Sequence, residues 1–511
     1  MARQLSWIGA CLSLLPARVP AQPAAAVAPA DTLVALQARL TGHLSQPRFA
    51  AGVWGVKVVS LDSGRTFFEH NAGKLLKPAS NAKLYSGALA LDRLGPDYRI
   101  KTSLYSTARP NRSGTLVGDL IVFGRGDPSW AARFHDGDNS KVLEPLVQAL
   151  VNAGVKRIKG DLIGDESFFR GPPLGSGWMW DDLQFYYGAE VSALTVQDNV
   201  VDLVLKPGLR VAEPCQVIPS PAARYLTFIN RTETVASGGP HALADPYRPL
   251  GQNVVYLSGT CPINATNHTA AVAVHDPARW CVTLFQEALA RRGITVSGQL
   301  RTVNWLDRPA QPVEDSKRVE LGAVESRPVS EIVTRMMKSS QNLYAQLLLL
   351  QVGARQQTPA ARNQTTEEAG LEEMNKFLSE AGISKGEVFL EDGSGLSRGA
   401  LLTPNATVTL LRFMHRHRHA DIFRDSLPIA GVDGSLQQRL KADATAGNVR
   451  AKTGYIRFVN ALSGYVTTAA GEPLAFSIML NSYQSAAGTP SARDDLDAMV
   501  LMLAGFAGRS M

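Results

Sequence analysis

A serine and a lysine stand three positions apart in Ser80-Asn81-Ala82-Lys83. If this stretch opens a helix, both side chains lie on one face, a turn apart, and the amine reaches the hydroxyl. A serine hydroxyl is a poor nucleophile until a nearby base takes its proton. A lysine amine becomes such a base when its pKa falls, through desolvation or a second cation close by. Lys452, in Lys452-Thr453-Gly454-Tyr455, is the candidate second cation. Between the two groups stands Ser340-Gln341-Asn342, with a hydroxyl to relay a proton and an amide to hold a polar partner. An oxyanion formed by attack of Ser80 would rest on the backbone N–H groups of Ser80 and Tyr455. Ser80, Lys83, Ser340 and Lys452 are therefore the candidate catalytic groups. Asn342, Thr453, Gly454 and Tyr455 are the candidate substrate-binding ones.

Each motif alone recurs by chance in a chain of 511 residues; their order and surroundings carry the weight. Other chemistry-bearing strings fare worse. Gly395-Leu396-Ser397-Arg398-Gly399 has the spelling of a nucleophile elbow, but Leu401-Leu402-Thr403-Pro404 separates the serine from the next helix. His415-Arg416-His417-Arg418-His419 lacks a further ligand at metal spacing and reads as a solvated helix end. Arg125-Gly126-Asp127 reads as a turn, and Asn230-Arg231-Thr232 as an incidental glycosylation string. No metal site and no diffusible cofactor are expected.

The elements that must position these groups are legible in outline. Leucines 33, 36, 40 and 44 predict a helix over 31–47, and 51–61 with 66–69 predict a hairpin. A helix is expected from Pro78 to Leu94, where Gly95-Pro96 stops it. From 98 to 315 short strand-like runs alternate with turn residues, interrupted by one helix over 276–292. Helical periodicity returns over 329–352, 367–381 and 404–417. Strands follow at 449–455, 461–466 and 474–480, then a helix over 491–506. Strands at both chain ends predict one α/β domain made of 31–97 and 316–511, split by a β-rich insertion over 98–315.

The start of the chain, Arg3 followed by an apolar run over 5–15 and small residues with prolines to 30, is a secretory leader. The protein is expected to be exported to the periplasm or the wall face, without a permanent transmembrane anchor. Cys11, in Ile8-Gly9-Ala10-Cys11, stands too close to the start for lipoprotein anchoring to be expected. In an oxidising compartment Cys215–Cys261 is the preferred disulfide pair, and Cys281 is expected as a buried thiol. The net charge of +7 is scattered, so nucleic-acid binding is not expected.

The trio SxxK, SxN and KTG is that of penicillin-binding proteins and class A β-lactamases. With Gly126-Asp127-Pro128, Gly160-Asp161-Leu162, 392–397 (DGSGLS) and 430–436 (AGVDGSL), the chain resembles the D-alanyl-D-alanine carboxypeptidase/endopeptidase family, the class C low-molecular-mass penicillin-binding proteins. The resemblance implies a penicillin-recognising, serine β-lactamase-like transpeptidase domain, an antiparallel sheet flanked by helices, with a large β-rich insertion between the first two motifs. It implies a serine peptidase acting through an acyl-enzyme on peptidoglycan stem peptides, their terminal carboxylate held by Lys452 and Thr453, with β-lactam antibiotics as covalent inhibitors. Two positions depart from the family pattern: Gln341 stands where an acid is usual, and Tyr455 where a small Ser or Thr is. A β-lactamase and a catalytically silent wall-binding scaffold of the same fold are the alternatives.

Overall fold

The last two strands of the chain, 459–467 and 473–481, are buried at nearly every position, the pattern of strands covered on both faces. Arg450–Ile456, Val459–Thr467 and Pro473–Asn481 form an antiparallel meander. Val53–Ser60 adds antiparallel to the last of them, and Thr66–His70 closes the far side. One five-stranded sheet thus takes strands from both ends of the chain, in the order 450–456, 459–467, 473–481, 53–60, 66–70. The protein is described by a computed structural model over residues 32–509, apart from 223, 309–317 and 358–362; the leader expected over 1–30 lies outside the described residues.

Alternation sorts the side chains of this sheet to its two faces. Trp54, Val56, Val58, Phe476, Ile478 and Leu480 face the helices Leu33–Leu44 and Ala492–Ala504. Val59, Ala461, Ala475 and Met479 face the other way, in one core with Ala82–Arg93, Val329–Ser339, Asn342–Gln356 and Pro404–His415. Each fully buried large side chain in these layers contributes about 1.5–3 kcal/mol of burial. Caps fix the helix starts where the sequence placed them: Ser491 and Asp494 form a capping box, and Thr403 Oγ1 accepts from Ala406 N at 3.0 Å with Pro404 at the first helical position.

The inserted region builds a second five-stranded sheet, ordered 300–303, 162–165, 120–123, 101–106, 319–325. The two pairs among 300–303, 162–165 and 120–123 are parallel and the other two antiparallel. Its core, with Leu104, Leu120, Leu162, Trp280 and Phe285, is distinct from the other two. Among the described residues no helix is long and apolar enough to cross a membrane.

Three expectations need correction. The boundary at 316 assigned 319–325 to the split domain, whereas Val319–Glu325 pairs antiparallel with Lys101–Ser106 and edges the insert's sheet. A second helix, Glu144–Asn152, accompanies Pro277–Arg291; it buries only Leu146, Val147 and Leu150, too short a periodicity to stand out. Cys215 and Cys261 lie side by side, as the expected pairing requires, but as free, buried thiols and not a disulfide; Cys261 sits within the strand Val254–Pro262, where burial and then the neighbouring Cys215 raise its thiol pKa. Cys281 is buried as expected, and burial pushes its thiol up to about 12.

Candidate active site

Ser80 does not sit inside one long helix. Ala79–Asn81 make a single 3-10 turn that feeds Ala82–Arg93. Ala79 holds φ 47, left-handed backbone that costs a non-glycine residue about 1–2 kcal/mol. Its methyl group is pinned against Ile456 and Val459, so the edge strand and its neighbour hold the strained residue beside the serine. Lys83, one turn on, is completely buried.

The Lys83 amine has three neighbours: Ser80 Oγ at 2.8 Å, Asn342 Oδ1 at 2.6 Å and the Ser394 carbonyl at 2.9 Å. A neutral amine has two N–H bonds and one lone pair. The two oxygens that can only accept, on Asn342 and Ser394, take the two hydrogens, which leaves the lone pair for the Ser80 hydroxyl. Burial lowers the Lys83 pKa to about 7, against the opposing pull of Asp392. Desolvation is therefore the dominant of the two causes anticipated for that depression. Lys452, also completely buried, is held well below its ordinary value by burial and then by Lys83. Two buried amines in one cleft resist being charged together; an anion arriving beside Lys452 favours its charged form and leaves Lys83 the neutral one.

Ser340 ends the helix Val329–Ser339 in left-handed backbone, φ 59, and turns its hydroxyl to Lys452 Nζ at 2.8 Å. Gln341 turns the other way. Its Oε1 accepts from Leu343 N at 3.2 Å and caps Asn342–Gln356, so a glutamine serves this position without entering the cleft. Asn342 is fixed at both ends of its amide, Oδ1 by Lys83 and Nδ2 by the Tyr187 carbonyl at 2.8 Å.

Lys452, Thr453, Gly454 and Tyr455 lie on Arg450–Ile456, an edge strand whose outer side is bridged to 428–430 at Arg450 and Ala451 and beyond that offers an edge of the kind an extended peptide can add to. Thr453 and Ser435 hydroxyls are 2.8 Å apart, so Ser435 joins the site from the 430–436 string. A Cβ on Gly454 would meet the Pro78 carbonyl at 2.6 Å, so only glycine lets the strand lie against the Ser80 turn. Tyr455, 61% exposed, stands at the rim with the Arg493 guanidinium 5.0 Å from its ring centre, and does not fill the cleft.

The structure brings all eight candidate residues into one cleft and adds groups the sequence reading left without a role. Asp392 accepts from Trp178 Nε1 at 2.9 Å, from the Ser394 hydroxyl, and from Gly395 N at 2.9 Å, which rigidifies the loop that presents the Ser394 carbonyl to Lys83. The strings 392–397 and 430–436 signalled such a loop; nothing in the aromatic run 185–187 signalled the Tyr187 carbonyl. Gly395 has φ 77, and a Cβ there would overlap the Ala79 carbonyl oxygen. Gly395→Ala should therefore lower stability by at least about 1–2 kcal/mol. It should also slow acylation by tenfold or more as the Ser80 turn shifts; urea melts and penicillin-labelling rates check both.

The rejected strings also find their places. Ser397 Oγ, buried, is hydrogen-bonded to Glu391 and receives Gly399 N at 3.0 Å, a loop serine. His417 and Arg418 both bind Asp92, and no group of metal-ligating side chains occurs among the described residues. Asp127 is a buried turn residue that accepts from Ser129.

A family model described as the D-Ala-D-Ala carboxypeptidase 3 (S13) family matches residues 36–505. The chain is 35% identical over 503 residues to a D-alanyl-D-alanine carboxypeptidase of Actinomadura sp. (strain R39), covering 96% of this chain and 88% of that one. It is 26% identical over 447 residues to D-alanyl-D-alanine carboxypeptidase DacB of Haemophilus influenzae, covering 83% and 85%. The crystal structure of penicillin binding protein 4 (dacB) from Haemophilus influenzae matches with a TM-score of 0.76 at 25% identity, over 90% of this chain and 97% of that one.

Proposed function

Because this chain belongs to the D-Ala-D-Ala carboxypeptidase 3 (S13) family and is a peptidase of that kind, we propose that Ser80 is its nucleophile and Lys83 its base. The observation that carries the assignment is the Lys83 amine, buried, depressed to about 7, and wedged between two acceptor oxygens with Ser80 Oγ as its third neighbour. The terminal carboxylate of a D-alanyl-D-alanine peptide binds Lys452 and Thr453, and the arriving anion favours the charged form of Lys452. The Ser80 proton passes to Lys83 as Oγ attacks the penultimate carbonyl. The oxyanion rests on the N–H groups of Ser80 and Tyr455. Ser340, hydrogen-bonded to Lys452, relays the proton taken up by Lys83 to the departing amine, and water then cleaves the ester to release the shortened peptide.

Endopeptidase cleavage of cross-linked peptides fits the same cleft, because the open edge of Arg450–Ile456 accepts an extended chain. A secretory leader over 1–30 supports a place outside the cytoplasm, where the wall substrate lies. The β-lactamase alternative needs a base for rapid deacylation. Among the described residues no carboxylate hydrogen-bonds Ser80 or Lys83, and Asp392 is spent on its own loop. β-Lactams, whose carboxylate mimics that of the peptide, should therefore form a long-lived ester. Incubation with labelled penicillin should give a stoichiometric adduct on the peptide containing Ser80, read by mass spectrometry. Rapid turnover without a lasting adduct would favour the β-lactamase, and no reaction at all the silent scaffold.

A further inference from the structure

The inserted region reaches Lys83 by a route that the reaction above does not use. Two oxygens take the Lys83 hydrogens, and one helix, Asn342–Gln356, governs both. Asn342 supplies the first directly, at 2.6 Å. Gln346, four residues on and so on the same face, addresses the loop that supplies the second. Its Oε1 accepts from Gly393 N at 2.7 Å, one residue before the Ser394 carbonyl. Ser86, on the helix that carries Lys83, donates to the Gly393 carbonyl. A Cβ on Gly393 would meet the Ala345 carbonyl oxygen at 2.5 Å, so the loop lies directly on the helix of Gln346.

A glutamine amide can turn either end to a peptide N–H, and only its oxygen accepts. What faces the Gln346 NH2 group therefore decides which end meets Gly393. Gln346 Nε2 donates to Glu367 Oε1 at 2.7 Å, and a carboxylate, which only accepts, keeps the amide oxygen on Gly393. Gln346 is 2% exposed, so bulk water offers its amide no other partner. Glu367 stands in the first turn of Thr366–Glu380, where a helix N-terminus favours negative charge. Burial raises its pKa, and the donors from Ser176 and Gln346 oppose that rise. Ser176 fixes the carboxylate through N at 3.1 Å and Oγ at 2.6 Å. Ser176 belongs to the inserted region and stands two residues before Trp178, whose indole holds Asp392 at the start of the same loop. The insert thus grips the Ser394 loop by two arms, Trp178 to Asp392 and Ser176 through Glu367 and Gln346 to Gly393.

We propose that Glu367, acting through Gln346, positions the Ser394 carbonyl on Lys83, so that the inserted region helps to aim the amine at Ser80. The inference rests on the reading of Lys83 as the base. Glu367 and Gln346 are positioning residues and touch none of the reacting atoms.

The experiment follows penicillin acylation against pH in two variants. Gln346→Met keeps the volume and adds no charge; Glu367→Gln keeps the shape but turns an NH2 group toward donors. Each should lower the plateau rate by about tenfold as the amine loses its aim. Each should also move the limb near pH 7 to lower pH by about one unit, because charged Lys83 loses an acceptor and the neutral form gains. The exchange Gln346→Glu with Glu367→Gln rebuilds the bridge with donor and acceptor reversed, and should restore most of the plateau rate. Variants that melt lower yet keep the wild-type rate and limb overturn the inference, as does a folded exchange variant no faster than the single ones. A wild type without any limb overturns Lys83 as the base and this inference with it, a result distinct from a variant that leaves an existing limb in place.

Discussion

Ser80→Ala should abolish both penicillin labelling and release of D-alanine, with a loss on the order of 10⁵–10⁶-fold in turnover, the scale at which removing a serine nucleophile acts. The fold should survive. Ser80 is only partly buried, its hydroxyl contacts Lys83 Nζ, and Lys83 keeps Asn342 Oδ1 and the Ser394 carbonyl when that contact is lost. Thermal melting should thus move little while the adduct disappears. A variant that still forms an ester, whether on Ser397, Ser340 or Ser435, would show that the nucleophile is another serine in or near the same cleft.

The second large effect concerns the base. Lys83→Ala should slow acylation by about 10²–10⁴-fold, the contribution of a positioned general base. It also leaves Asn342 Oδ1 and the Ser394 carbonyl without their donor, each orphaned group costing about 1–3 kcal/mol, so a measurable drop in stability accompanies the kinetic loss. The pH profile separates the two consequences. As the proposed base Lys83 would act only as a neutral amine, and burial lowers its pKa to about 7. Wild-type acylation should therefore be slow near pH 5, climb through pH 7 and level off above it. Lys83→Ala should lose that limb, because destabilisation alone does not abolish a proton-transfer step. An alanine variant with the wild-type profile and rate would mean that some other group takes the Ser80 proton.

Much of the scaffold was readable before any coordinates. Buried strands announce themselves by mostly apolar runs and amphipathic helices by a three- or four-residue step, so the 459–467 and 473–481 hairpin and the helices at 366–380 and 404–415 emerged within a residue or two of expectation. These are local patterns, and local sequence suffices for them. Glu144–Asn152 escaped because nine residues with three buried side chains are too few for a period to stand out. The edge strand 319–325 escaped for another reason. Which sheet a strand joins is settled by its partner, here 101–106, and no property of the strand itself records that.

The cysteines make the same point in reverse. An oxidising compartment favoured pairing Cys215 with Cys261, and the fold does bring them together, yet Cys261 belongs to a strand and both thiols are buried and free. At the site, the types of the eight residues and their order were visible, because the proposed nucleophile, base and anion anchor are chemically rare in combination. What the string of letters could not supply was which oxygens take the Lys83 hydrogens. Asn342 and Ser394 lie hundreds of positions away along the chain, and only packing of two helices and a glycine loop around one amine brings them within 3 Å. Nor could it show that Gln341 faces away from the cleft as a helix cap, or that Tyr455 stands at the rim beneath Arg493. Residue identity determined which chemistry is possible; the converging backbone decided which lone pair faces which proton, because a depressed pKa and an aimed amine are properties of a buried environment and not of a side chain.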